Sequence, residues 1–528
     1  LKPAYAMLRS LVGSEMCIRD SHYSMVQSMP TLEYKMTKFQ SIFWHRRDLR
    51  FGDNIGLFEA SKNSKSLIGV YVLDPKLLDI SRNTSEAKNW FLGESLIELQ
   101  KNWEIRGSRL LILNGDPIEL ISKLAELVHA ECIYWNENIE PYEINRDKQV
   151  AEKLSKEKRK VYTFLDQLIV NPSDIKTNND EPYKVYGPFY RKWIDIINRT
   201  KSSDNNLIQT SETAEKFIGL NERELSSIKN SDLNYCITNK SKSIYELLSL
   251  NRFNNTNLCP CKPGESESTK QLNSFIHSGV INSYNKARDI PSLENTSNLS
   301  AALSLGTISC RVVWNGAQVS KNATDDEYKI NSIDTWIKEL AWREFYQNAL
   351  INFPELEKGP YREKWLDFPW QNRPDWLDAW KNGLTGIPIV DAAMRQLKCS
   401  GWMHNRCRMI VASFLVKDLL IDWRLGELFF MKSLVDGDLA ANNGGWQWSA
   451  SSGMDPKPMR IFNPFRQASK FDEDGEYIRK WIPELSHIST PNLLSGEISS
   501  AERNSYPKPI INHKNQTSIF KELYSNIK

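Results

Sequence analysis

Four short apolar runs punctuate the first third of the chain: residues 41–44 (SIFW), 67–73 (LIGVYVL), 110–113 (LLIL) and 132–135 (CIYW). Asp74-Pro75 closes the second and Asn114-Gly115-Asp116-Pro117 the third, both turn signals. Helical stretches separate them, at 86–105 and from Pro117 through Val128. Strands that alternate with helices are covered on both faces, which restricts this half to a parallel, doubly wound α/β sheet. Ligands of such sheets sit beyond the carboxyl ends of the strands, here at Arg46, Arg47, Asp48 and residues 136–140. Arg46 and Arg47 also suit a purely structural salt-bridge cluster. No GxGxxG follows a strand, which argues against a dinucleotide site on this half.

At 528 residues the chain is too long for one ordinary core. Residues 39–170 are read as the α/β domain and 271–528 as an all-helical domain. Residues 171–270 are polar and Asn/Ser/Lys-rich and are read as an interdomain connection, with an aromatic island at 185–193 (VYGPFYRKW) that docks on the core. Residues 1–38 look foreign to the rest. The chain starts at Leu1, and no apolar core precedes a small-residue cleavage site, so 1–35 are expected to be a disordered, non-native leader.

Hydrophobic content of 40% and charged content of 25% fit a soluble globular protein. A net charge of only +3 means that any nucleic acid must bind a local basic face. Eight scattered cysteines are too sparse for a disulfide scaffold, so a reducing cytoplasm is expected. Cys259-Pro260-Cys261 is too close and too isolated for a zinc site, and no metal is expected. No run approaches the ~18 apolar residues that span a membrane.

The chemistry-bearing residues concentrate in the helical half. DTWIKELAWREFYQN (334–348) has helical periodicity, with Glu339, Trp342, Arg343 and Tyr346 at i, i+3, i+4 and i+7. An acid, an indole, a cation and a phenol on one face are not the makings of an ordinary core. Residues 391–419 continue the helical spacing, and Asn405, Arg408 and Met409 share one face. DGDLAANNGGWQW (436–448) follows, read as a polar loop. Asp436 and Asp438 are acceptors, Asn442 and Asn443 both donors and acceptors. Gly444 and Gly445 let backbone approach a flat ligand, and Trp446 and Trp448 offer stacking planes. Taken alone, the loop also fits a plain helix cap.

The order WMHNRCRM, IDWR, DGDLAANNGGWQW, RIFNP resembles the photolyase/cryptochrome family, and most of all its class I cyclobutane pyrimidine dimer photolyases of the cyanobacterial kind. The likeness runs from about Phe39 to about Tyr524, with WHRRDLR and NENIEPY as its signatures in the first half. It implies a Rossmann-like antenna domain followed by a helical domain that holds FAD. It also implies a carbon–carbon lyase, a monomer that repairs ultraviolet-damaged DNA, single- or double-stranded, when lit with blue light. Cofactor contacts carried over are Tyr284, Thr296, Ser297, Asn298, Leu299, Ser300, Trp336, Glu339, Arg343, Arg408, Asp436, Asp438 and Asn442. Asn442 would face flavin N5. Lesion contacts carried over are Glu339, Trp342, Asn405, Met409 and Trp448. Trp370, Trp423 and Trp446 match a three-tryptophan electron chain. Without the resemblance, 296–300 reads as a helix N-cap and each indole as packing.

For the antenna, Glu140 and Lys358 match folate-type relatives, so 5,10-methenyltetrahydrofolate is expected, with 8-hydroxy-5-deazaflavin or no antenna as the alternatives. Lys88, Asn138 and Ser304 depart from the 8-hydroxy-5-deazaflavin pattern. The competing reading is a cryptochrome-like photoreceptor without repair. The joint presence of Glu339, Trp342, Asn405, Met409 and Trp448 stands against it. A (6-4) photolyase would carry histidines at 405 and 409, and a nicotinamide-dependent flavin reductase would need a glycine-rich fingerprint.

Overall fold

The computed structural model describes residues 39–79, 84–200, 207–212, 215–233, 241–248, 253–293, 295–454 and 460–527. The leader expectation for 1–35 lies outside them. Five strands, β1 (Phe39–His45), β2 (Ser64–Leu73), β3 (Leu110–Asn114), β4 (Cys132–Asn136) and β5 (Lys160–Phe164), pair in parallel in the order β3-β2-β1-β4-β5. β1 is central, with Ile42 level with Ile68 on one side and Ile133 on the other. The four strands expected from sequence are β1–β4, and β5 is an addition. Its KVYTF is only partly buried, so it lacks the apolar signal of the others.

The helices of this half are α1 (Ile55–Asn63), α2 (Glu86–Ile105), α3 (Pro117–Leu127) and α4 (Pro141–Lys156). Side chains alternate across the sheet, so neighbours in one strand enter different cores. Phe43 and Leu67 pack with α1 and α2. Ile42, Trp44, Ile68 and Val70 pack with α3 and α4. Gly69 is required by contact: a Cβ there would meet the Trp103 indole at 2.5 Å. Trp103 donates to His45 Nε2 at 3.1 Å, which leaves Nδ1 to face Asp48.

The segment 171–270 holds α5 (Tyr186–Thr200), α6 (Glu222–Lys229), α7 (Ser241–Leu247) and the start of α8 (Glu265–His277). The aromatic island of the sequence is the start of α5, which buries Phe189, Trp193 and Ile197. Then come α9 (Tyr284–Ala287), α10 (Ser300–Leu305), α11 (Cys310–Asn322), α12 (Glu327–Asn352), α13 (Pro374–Asn382) and α14 (Pro388–Ser400). They are followed by α15 (Asn405–Lys417), α16 (Trp423–Met431), α17 (Leu439–Ala450), α18 (Pro464–Phe471), α19 (Glu476–Trp481), α20 (Thr490–Ser495) and α21 (His513–Asn526). The run 391–419 is two helices, not one. Gly401 ends α14 at a φ of 65°, a left-handed C-cap that glycine adopts without strain. α12 outruns its expected span at both ends: Asp326 caps its start by accepting from the Tyr328 and Lys329 N–H groups, and it runs on to Asn352. Among the described residues no helix is long and apolar enough to cross a membrane.

Candidate active site

The mixed face of α12 meets α9. Arg288, one turn beyond Tyr284, pairs with the Glu339 carboxylate and lies over the Tyr284 ring at 5.6 Å. Burial raises the Glu339 pKa above the usual carboxylate range despite that cation. Asp289 receives Arg406 of α15 at 2.8 Å. Glu339, Arg288, Asp289 and Arg406 therefore tie α12, α9 and α15 together. Trp336 is buried against Phe275, and Arg343 donates to the carbonyls of Gln167 (2.9 Å) and Leu303 (3.3 Å). Trp342 is stacked flush on Tyr186 of α5, with centroids 3.6 Å apart and planes at 3°.

α15 opens with Asn405, exposed, and carries Arg408 and Met409 a turn further, both half-buried. His404 caps it: Nδ1 accepts from the Arg406 N–H at 3.2 Å, and burial lowers the ring's pKa to about 4, so the imidazole is neutral. Arg408 Nη2 donates to both oxygens of Asp436, at 3.0 and 2.8 Å, and its Nε donates to the Met403 carbonyl at 2.8 Å. The aspartate side chain is 4% exposed, so this cation is what makes its charge tolerable.

The stretch 436–448 is not the loop expected. From Leu439 it is α17, because the Asp438 carboxylate accepts from the Ala441 N–H at 2.9 Å and Leu439, Ala440 and Ala441, good helix formers, make its first turn. Gly444 consequently sits in mid-helix, where a Cβ would lie 2.1 Å from the Tyr346 ring, so a protein aromatic and not a ligand claims that approach. At Gly445 a Cβ would meet nothing within 4 Å. The Asn442 amide donates to the Glu427 carbonyl at 3.0 Å. The Asn443 amide donates to the Glu427 carboxylate at 2.9 Å. Burial raises the pKa of that carboxylate to about 7.

Trp448 lines an apolar hollow with Phe345, Tyr346 and Ala349 of α12. Its other side adjoins Ser413 and Lys417, on the α15 face that begins at Met409. In the 296–300 segment the Thr296 hydroxyl donates to Asn298 Oδ1 at 3.0 Å. Asn298 takes a φ of 53°, Ser297 is half-buried, Leu299 is buried, and Ser300 begins α10.

Trp423 and Trp446 are buried in one apolar cluster. Trp446 lies against Gly426, where a Cβ would meet its ring at 2.2 Å. Trp370 packs at the edge of the same cluster, and the segments bearing Trp370 and Trp423 are joined by Gln371 N–H to Leu420 O (2.8 Å) and Asp422 N–H to Asn372 Oδ1 (2.8 Å).

At the carboxyl ends of β1 and β4, Arg47 contacts Glu140 at 2.5 Å, and Glu143 and Asp438 at 3.4 Å each. Arg46 lies over Trp44 at 4.5 Å and 3.1 Å from Asp147. Burial alone would raise the Asp48 pKa, but hydrogen bonds from His45 and the Arg46 N–H hold it near 2. Asn136 donates to Asp48 at 2.6 Å. Glu140 is thus engaged with Arg47, while Lys358 stands exposed past Leu356, whose side chain packs with Ile139. Asn138 Oδ1 accepts from Gln167 at 3.0 Å.

Sequence reasoning missed Arg288, Asp289, Arg406, Tyr186 and Trp380. Trp380 is fully buried 6.1 Å from Trp446. The spacing Tyr284–Arg288 was a usable signal, since i and i+4 share a face. The pairings of these residues span tens to hundreds of positions and leave no local pattern.

Residues 41–205 match the family model for DNA photolyase, and residues 336–526 the model for the FAD binding domain of DNA photolyase. The deoxyribodipyrimidine photo-lyase of a Synechococcus strain is 46% identical over 487 residues, covering 92% of this chain and 96% of that protein. The crystal structure of a bacterial class III photolyase from Agrobacterium tumefaciens superposes with a TM-score of 0.79 at 31% identity, covering 94% of this chain and 99% of that one. An archaeal photolyase from Sulfolobus tokodaii, solved with two FAD molecules, superposes with a TM-score of 0.76 at 29% identity, covering 92% and 100%. An α/β sheet domain joined to a helical domain with these paired charges defines a photolyase-type flavoprotein architecture. The chain belongs to the DNA photolyase family.

Proposed function

We propose that this chain repairs cyclobutane pyrimidine dimers in DNA with light and FAD. The observation that carries the reading is the extent of the match to deoxyribodipyrimidine photo-lyases, which runs through both halves of the chain. The residues present suit the cofactor. Arg408 offers a cation and Asp436 an acceptor, while Gly445 leaves open space on α17. Asn285 Oδ1 beside Tyr284 and His404 Nε2 beside Asn405 are buried without a partner among the described residues, as expected where a polar ligand completes the site.

When bound and reduced, FAD supplies, on absorbing blue light, the electron that no side chain can deliver. The chain's own residues bind, orient and exclude water. Arg408, fixed by Asp436 and the Met403 carbonyl, presents its charge in one orientation. Tyr284, Trp336, Arg343, Asp438, Asn442 and the 296–300 segment complete the cofactor contacts. A dimer already weakened in pairing and stacking leaves the duplex cheaply, in the manner of base-flipping enzymes. Trp342 and Trp448 flank it by stacking. Met409 adds a soft apolar contact and Asn405 a polar one. Glu339, its pKa raised by burial, hydrogen-bonds the pyrimidine edges. Arg288, paired with Glu339, and Arg406, paired with Asp289, are the cations offered to the phosphates, which position without reading sequence. Trp370, Trp423 and Trp446 form a hopping path between the protein's edge and the core. The protein acts as a monomer in the cytoplasm. The antenna, if one is bound, is a methenyltetrahydrofolate near Glu140 and Lys358.

Replacing Glu339 with Ala should leave affinity for dimer-containing DNA nearly intact and lower repair about tenfold, the effect of one lost hydrogen bond to a charged group. Recovery of thymine absorbance under blue light reads it, and unimpaired repair removes Glu339 from the reaction. Trp423→Phe should retain repair by pre-reduced enzyme but photoreduce oxidised FAD to only a small fraction of the normal extent. Photoreduction at the normal rate would exclude Trp423 from the path.

A further inference from the structure

The segment 434–439 carries both carboxylates of the flavin-side machinery, and four of the residues that hold it, Arg47, Ser85, Lys88 and Glu140, come from the α/β half. Ser85, the N-cap of α2, donates to the Leu434 carbonyl at 2.8 Å. Lys88, one turn into α2, donates from Nζ to the Gly437 carbonyl at 2.5 Å. Ser304 of α10 donates to that same carbonyl at 3.4 Å. Arg47 lies 3.4 Å from Asp438, and Glu140 accepts from the Leu439 N–H at 3.4 Å. Gly437 stands between Asp436, which orients Arg408, and Asp438, which caps α17. A charge-assisted bond to its carbonyl therefore fixes the peptide on which both carboxylates hang.

We propose that Lys88, a residue of the α/β half, is a positioning residue for flavin binding: by holding the Gly437 carbonyl it sets the orientation of Asp436 and hence of Arg408. The proposal rests on the flavin reading given above. Lys88 reaches no reacting atom in this role. It acts through one backbone carbonyl, and geometry, not charge near the ligand, is what it controls. Arginine can reproduce such a bond, whereas methionine fills the same volume without a donor.

The test compares full-length wild type with Lys88→Met, Lys88→Arg and Arg408→Ala. Each is loaded with FAD, then diluted, and the rise in free-flavin fluorescence gives the dissociation rate. The shape of the bound-flavin absorption band is recorded alongside. Lys88→Met should release FAD roughly tenfold faster, the consequence of a buried carbonyl losing its charged donor. Its absorption band should lose structure toward that of free flavin, with circular dichroism unchanged. Lys88→Arg should restore both. If Lys88→Met holds FAD as wild type does while Arg408→Ala loses it, Lys88 has no such role and the flavin site stands. If Arg408→Ala also retains FAD normally, the flavin lies elsewhere and the placing of the site at Arg408 and Asp436 falls, and the proposal with it. Should Lys88→Met fold poorly, Lys88→Gln is read by the same two measurements, and wild-type release in it overturns the proposal.

Discussion

Arg408→Ala is expected to yield a protein that emerges from gel filtration nearly colourless. The variant leaves Asp436, with a side chain only 4% exposed, as an unpaired carboxylate. Removing one partner of a buried ion pair costs about 3–5 kcal/mol. The arginine end is 24% exposed, which places this pair toward the lower figure. If about 3 kcal/mol appears in binding, FAD affinity falls roughly a hundredfold. Arg408→Lys keeps the charge but loses the two-oxygen grip, because an ammonium is a point donor and a guanidinium a fork. It should retain an intermediate flavin content. The flavin-to-protein absorbance ratio decides the matter, and a wild-type ratio in the alanine variant would move the flavin elsewhere.

Asp166→Ala should be the most damaging single change to the scaffold. Asp166 has no exposed side-chain surface and binds two buried cations, Arg50 at 2.6 Å and Arg311 at 2.7 Å. Arg311 also reaches Asp53 at 2.8 Å. This network joins the start of α1, the end of β5 and α11, so it stitches the sheet to the helices. Without Asp166 both guanidiniums lose their closest carboxylate, a loss of about 3–5 kcal/mol. A chain of this size need not unfold in one step, so the readout is the temperature of irreversible inactivation together with the urea midpoint. The double variant Asp166→Ala with Arg50→Met should recover part of the loss, because Arg50 pairs with Asp166 while Arg311 keeps Asp53, so the stranded cation goes with its partner. If the single variant withstands heat and urea as the parent does, the network carries no net stability.

The same network shows where sequence reading stops. The strands β1–β4 were legible because each is an unbroken apolar run between turn residues, whereas β5, with one exposed and four half-covered positions, gave no such signal. The face of α12 was legible because helical spacing alone assembles Glu339, Trp342 and Arg343. The 436–448 stretch misled, since its carboxylates and glycines score as turn formers. Only the cap made by Asp438 and the contact between Gly444 and Tyr346 reveal a helix. Residues 50, 53, 166 and 311 are scattered along the chain, and so are 186 and 342. A pairing of that separation is a property of the folded state and leaves no periodic trace.

An indole has two faces, and on Trp342 Tyr186 occupies one of them at 3.6 Å with nearly parallel planes. Any pyrimidine that stacks on Trp342 must come from the other side. A one-sided platform takes one base plane at a time, because the tyrosine ring fills the opposite side. If a dimer docks there as proposed, its two halves are inequivalent before any light arrives, one lying against the indole and the other beyond it.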